Sequence, residues 1–103
     1  MKLWIDDVRP APVGYIWYKS TNNALRSIRG YYSLIEEISL DHDAGDYVKD
    51  GGDYIEILNE LERLSHLLNK DFSYIKFRIH SMNPVGVQNM RAIIERNGWK
   101  EIR

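Results

Sequence analysis

Apolar residues in this chain fall into short bursts with two different periods. Leu3-Trp4-Ile5 is an apolar run that stops at Asp6-Asp7, with Pro10, Pro12 and Gly14 close behind as breakers. Tyr15-Ile16-Trp17-Tyr18 is aromatic and β-branched, the composition of a second strand. Ile35 to Leu40 predicts a third, with Ile38 and Leu40 on one face. Tyr74 to His80 predicts a fourth: Ile75, Phe77 and Ile79 point one way, Lys76, Arg78 and His80 the other. Trp99 to Ile102 reads as the last strand.

Between the strands the spacing turns helical. Ser20 or Thr21 caps a short helix carrying Ala24, Leu25 and Ile28, with Gly30 as its stop. Asp53 opens the longest helix, with Glu56 completing a capping box and Ile57, Leu61, Leu64 and Leu68 as the buried stripe. Asn83-Pro84 starts a third, which buries Val87, Met90, Ile93 and Ile94 and ends at Gly98. Strands alternating with helices predict a three-layer α/β sandwich of about five mostly parallel strands and three helices, one domain over residues 1–103. About ten residues join the first two strands, too few for a crossover helix. That face of the sheet is therefore expected to be thinly covered, and the polar Lys76 and Arg78 agree.

Composition narrows the function classes. With a formal net charge of -1 the chain has no global field for a nucleic-acid backbone, so non-specific duplex binding is not expected. The absence of cysteine excludes disulfides and thiolate chemistry. No stretch approaches the roughly 18 apolar residues of a membrane helix. Met1 to Ile5 turns acidic at once, without the apolar core of a signal peptide. A cytoplasmic protein without membrane association is expected.

Polar chemistry is concentrated in islands, most of them directly after a predicted strand: Asp6-Asp7-Val8-Arg9, Asp41-His42-Asp43, and His80-Ser81-Met82-Asn83 running on into Pro84-Val85-Gly86. Parallel strands gather their carboxyl ends along one edge, where ligands usually bind. Asp6, Asp7, Asp41 and Asp43 are oxygen donors suited to a hard divalent cation such as Mg²⁺ or Mn²⁺. Asp is equally at home in turns, which leaves a purely structural reading open for each. His42 and His80 bring imidazoles, the side chain suited to proton transfer or to binding a metal. Asn83 has a structural role as an N-cap. The helix it starts aims amides and a positive dipole end at the same place, and Gly86 in its first turn leaves room for a ligand. Arg9 fits a phosphate as a fork or lies on the surface; Ser81 has no structural demand on it. His66, in mid-helix, reads as a surface histidine. Tyr31, Tyr32, Tyr47 and Tyr54 either stack a base or simply pack. The set suits phosphoester chemistry, and nothing in the chain suits hydride or acyl transfer, since neither a dinucleotide glycine fingerprint nor a nucleophile elbow occurs.

Asp6-Asp7, Asp41 and Ser81 are spaced as in response-regulator receiver domains. The runs Asp6-Asp7-Val8-Arg9-Pro10, Ile38-Ser39-Leu40-Asp41-His42-Asp43 and His80-Ser81-Met82-Asn83-Pro84-Val85-Gly86, with Asn89-Met90 following, more closely resemble the cyclic-phosphate processing receiver domain. The likeness implies a flavodoxin-like, receiver-like sheet and a role in handling cyclic phosphates on RNA ends or nucleotides. An ordinary receiver has a lysine after strand five; here Lys100 lies inside the predicted strand and only Arg103 reaches its end. The expected function is a metal-aided phosphodiesterase acting on 2′,3′-cyclic phosphate ends or cyclic nucleotides. Asp41, His42 and His80 are expected to be catalytic, and Arg9, Ser81, Asn83 and Gly86 to bind substrate. A module that sequesters a phosphorylated or cyclic nucleotide without cleaving it is the alternative, and a phosphoaccepting receiver the third.

Overall fold

The computed structural model describes residues 1–103. Five strands, β1 (Lys2–Ile5), β2 (Ile16–Tyr18), β3 (Glu37–Leu40), β4 (Lys76–Ile79) and β5 (Lys100–Glu101), alternate with helices α1 (Thr21–Tyr31), α2 (Ile55–Leu67) and α3 (Pro84–Arg96). The sheet is wholly parallel, in the order β2-β1-β3-β4-β5. That is the flavodoxin-like order, whose ligand crevice lies where the chain reverses its direction of travel, between β1 and β3. No helix is long and apolar enough to cross a membrane.

Register explains the burial. Leu3 pairs with Ile38 and Ile38 with Phe77, while Ile5 pairs with Leu40 and Leu40 with Ile79. These residues share one face, and all but the half-buried Ile79 are fully buried, joined in one core by Ala24, Leu25 and Ile28 of α1, Ile57, Leu58 and Leu61 of α2, and Met90, Ile93 and Ile94 of α3. α1 packs on α2 and α2 on α3, so the helices form a continuous layer. The opposite face carries Lys2, Trp4, Glu37, Ser39, Lys76 and Arg78. As the short first connection predicts, no helix covers it. Residues 6–15 fold over part of it instead: Tyr15 meets Trp4 edge-on at 6.1 Å and donates its hydroxyl to Glu37, and Trp4 Nε1 donates to the Arg9 carbonyl at 2.8 Å.

Several boundaries move for physical reasons. α1 runs through Gly30 to Tyr31 and then tightens into a 3-10 turn over Tyr32–Leu34. Asp53 does not cap α2; its Oδ1 accepts the Ala44 amide at 3.0 Å, and the helix starts after Tyr54 with no side-chain cap. Leu68 lies past the last turn and is exposed, and the buried stripe is Ile57, Leu58, Leu61 and Leu64. Ile35, Ile75 and Trp99 fall just outside their strands yet are buried, and Trp99 stacks on Phe77 at 5.3 Å. The Asn83 cap is as expected: its Oδ1 accepts the Gly86 amide at 3.0 Å, with Pro84 in the first turn.

Candidate functional site

Asp6, Asp41 and His80 each follow the last residue of a strand, on β1, β3 and β4, and continue the register of Ile5, Leu40 and Ile79. Alternation turns all three side chains toward the face without helices. Asp6 is completely buried, and each of its oxygens accepts twice. Oδ1 takes the amides of Val8 at 3.0 Å and Arg9 at 2.9 Å; Oδ2 takes Arg9 Nε at 2.8 Å and His80 Nε2 at 3.0 Å. The Arg9 fork then reaches Asp41 Oδ2 through Nη2 at 3.0 Å, while Asp41 Oδ1 accepts the His42 amide at 2.8 Å.

His80 lies across β3, between Asp6 and Ser39. Its Nε2 faces a carboxylate and so carries the proton, which leaves Nδ1 to accept from the Ser39 hydroxyl at 2.9 Å. Trp4 covers the ring face to face, with centroids 3.9 Å apart and planes 5° from parallel. Burial pushes the imidazole below its ordinary pKa, against the opposing pull of Asp6, so the ring is held neutral. With both nitrogens engaged, His80 positions Asp6.

A second group occupies the helix side. His42 Nδ1 meets Asp43 Oδ1 at 2.8 Å, which places the proton on Nδ1 and leaves Nε2 as a free acceptor. The imidazole rests on the first turn of α3: a Cβ built on Gly86 would stand 2.5 Å from His42 Cγ. Gly86 was expected to make room for a ligand; the space it leaves is filled by His42. Asn83 Nδ2 reaches Asp43 Oδ1 at 3.4 Å. Ser81 Oγ accepts the Asn83 amide at 3.1 Å and gives its own proton to no protein acceptor, and the Val85 amide is likewise free. Asp7 stands against Gly45, whose positive φ of 56° and missing Cβ let the carboxylate approach: a Cβ there would lie 2.2 Å from Asp7 Oδ2.

Electrostatics separate the acids. Burial alone would raise Asp6, but the amides of Arg9 and Val8, the His80 bond and the Arg9 charge outweigh it and hold the carboxyl below its usual range. Asp7 moves the other way, raised by burial and by the charges of Asp6 and Asp41. Tyr54, beneath the cluster, donates its hydroxyl to the Lys19 carbonyl at 2.7 Å and is pushed well above its ordinary pKa by burial and the acids around it.

The carboxylates of Asp6, Asp7 and Asp41 lie within 4.8 Å of one another, whereas Asp43 groups with His42 and Asp53 instead. The four expected metal ligands are thus split between two places. The first group does not fit a divalent ion as it stands. Asp6 has no lone-pair site left, and the Arg9 guanidinium already bridges Asp6 and Asp41 as the cation of the cluster. A metal at these acids requires Arg9 to leave.

Most of the expected site residues do meet at the strand ends, but in two hydrogen-bonded sets: Asp6, Arg9, Asp41 and His80 in one, His42, Asp43, Asn83 and Gly86 in the other. Ser39 and Trp4, which orient His80, were not anticipated. Ser39 had one sequence signal: alternation with Ile38 and Leu40 sets it, like Glu37, on the polar face that His80 shares. His66 is exposed, as expected.

A family model described as the cyclic-phosphate processing receiver domain matches residues 1–96, and the chain belongs to that family. Comparison with curated proteins and with solved structures gave no match.

Proposed function

We propose that this receiver domain is a phosphodiesterase that opens cyclic phosphates, on 2′,3′-cyclic RNA ends or cyclic nucleotides. The observation that carries the reading is the His42–Asp43 pair: Asp43 holds Nδ1 and leaves Nε2 without a protein partner, as a base beside the start of α3. The family's link to cyclic-phosphate processing supports it. In this reading His42 Nε2 takes a proton from water as the water oxygen bonds to phosphorus, and the P–O bond to one ribose oxygen breaks. The His42 imidazolium then gives that proton to the leaving oxygen, which balances the step with the one free imidazole. The Val85 amide, the Ser81 hydroxyl and the α3 dipole hold the phosphoryl oxygens. No step is routed through a metal.

The second reading, sequestration without cleavage, is favoured by one observation: the saturation of His80 leaves a single imidazole free for proton transfer. Incubation with a panel of cyclic nucleotides and cyclic-phosphate RNA ends, with and without Mg²⁺ or Mn²⁺, separates the two by product chromatography. Turnover lost in His42→Ala and Asp43→Asn supports the phosphodiesterase. Ligand recovered intact after heat denaturation of the complex refutes it.

A further inference from the structure

A cavity of about 510 Å³ opens between the edge strand β2 and α1, outside the strand-end cluster, lined by Trp17, Tyr18, Asn23, Arg26, Ser27 and Tyr31. Its volume lies in the range of small-molecule sites, and its walls are half aromatic and half polar. We infer that this groove is a nucleobase seat for the nucleotide whose phosphate reaches the strand ends. The inference rests on the phosphate reading above and names the part of the substrate that lies beyond the phosphate.

Of the three aromatic walls Tyr18 packs against the core, whereas Trp17 and Tyr31 lie outside it. Tyr31, at the end of α1, is 55% exposed and belongs to no core contact. Trp17 sits on the edge strand, on the face that no helix covers. Its indole is fixed rather than loose: Nε1 donates to the Asp6 carbonyl at 2.7 Å, and Lys19 Nζ stands 4.6 Å from the ring centroid. Tyr31 thus offers an exposed ring and Trp17 a half-buried one held in place, and every base can stack through its π-face.

The polar half is suited to a base edge and a backbone. Ser27 Oγ accepts from the Tyr18 hydroxyl at 2.8 Å and has no acceptor for its own proton. Arg26 gives Nη1 to Asn23 Oδ1 at 2.9 Å, which leaves its other N–H groups free. Arg26 and Lys19 also bring positive charge to the groove in a chain that is otherwise near neutral.

Continuity links the groove to the acids. The carbonyl of Asp6 fixes Trp17, the amide of Asp6 donates to the Tyr18 carbonyl at 3.2 Å, and the carboxylate of Asp6 holds Arg9 and His80. Asp6 therefore borders both the groove and the acid cluster, and the inferred ligand places its sugar and phosphate along that border.

Titration of ¹⁵N-labelled protein with adenosine 5′-monophosphate and with ribose 5-phosphate tests this, because the two share everything but the base. The Trp17 indole N–H resonance, assigned with Trp17→Phe, is expected to shift with the nucleotide and not with the sugar phosphate, while Trp4 and Trp99 serve as internal references. Tyr31→Ala and Arg26→Ala, both at exposed positions, are expected to weaken nucleotide binding about tenfold, the scale of one lost stacking contact. Equal shifts from both ligands, with affinity unchanged in both variants, overturn the base seat even if His42 signals respond, and the phosphate reading then survives alone. A Trp17 shift without any His42 response supports the seat and counts against phosphate at the strand ends.

Discussion

Gly86→Ala probes the seat of His42 without touching an ionisable group. Gly86 is the third residue of α3 and its φ is not positive, so alanine is compatible with the backbone. Helix propensity alone favours the substitution by up to about 1 kcal/mol. The added methyl, however, would stand 2.5 Å from His42 Cγ and 2.6 Å from Cδ2, the root of the ring rather than its tip. The imidazole must therefore swing away and give up its bond to Asp43. Overpacking of this kind costs about 1–3 kcal/mol. The net destabilisation is about 0–2 kcal/mol, a fall in Tm of no more than about 10 °C for a domain of this size. Activity should suffer far more, because a displaced general base forfeits about 100-fold or more in kcat/KM. Urea unfolding of the four proteins in a Gly86→Ala, His42→Ala cycle isolates the contact. In the His42→Ala background the clash is gone and Gly86→Ala should stabilise by up to about 1 kcal/mol. An equal cost of Gly86→Ala in both backgrounds, or full turnover of a nucleoside 2′,3′-cyclic phosphate by the single variant, refutes the placement of His42.

Arg9→Gln removes the internal cation from Asp6 and Asp41; Mn²⁺ affinity measured by electron paramagnetic resonance is expected to rise at least about tenfold, since freed carboxylates are hard-ion ligands. The same variant should lose stability, by about 1–3 kcal/mol in urea, because Asp6 stays buried while the lost partner was half exposed and screened. His80 has a folded-state pKa below its ordinary 6.5, so the unfolded chain binds more protons just below that value. Stability is therefore complete above about pH 6.5 and drains as pH falls below it, and His80→Phe should flatten that slope in unfolding titrations. Asp6, with a lowered pKa, contributes in a separate window: its stabilisation is present above its ordinary 3.8 and is lost below it.

Much of the fold was legible because its determinants are local. The alternation in Ile75, Phe77 and Ile79 against Lys76 and Arg78 gives both the strand and its two faces. The Asn83-Pro84 pair marks the start of α3 through contacts within three residues. The gathering of Asp6, Asp41 and His80 follows from parallel strands alone. What could not be read depends on partners far along the chain. Asp53 has the spacing of a capping box, yet it is drawn off by the Ala44 amide across a loop. Arg9 was balanced between a phosphate clamp and a surface residue; it is an internal counterion, fixed by an acid 32 positions later. Ser39 and Trp4 carry no motif, and their roles exist only because His80 folds back over the sheet.

The stack of Trp4 on His80 has a use for the experimenter. An indole flat on an imidazole at 3.9 Å is an emitter beside a quencher, and an imidazolium quenches far better than a neutral ring. Trp99 is shielded in the core against Phe77, and Trp17 lies at the sheet edge, so the three indoles report from three separate environments. A change in emission that follows the protonation of His80 and vanishes in Trp4→Phe would make the acid cluster visible in a cuvette, without a label and without a known substrate.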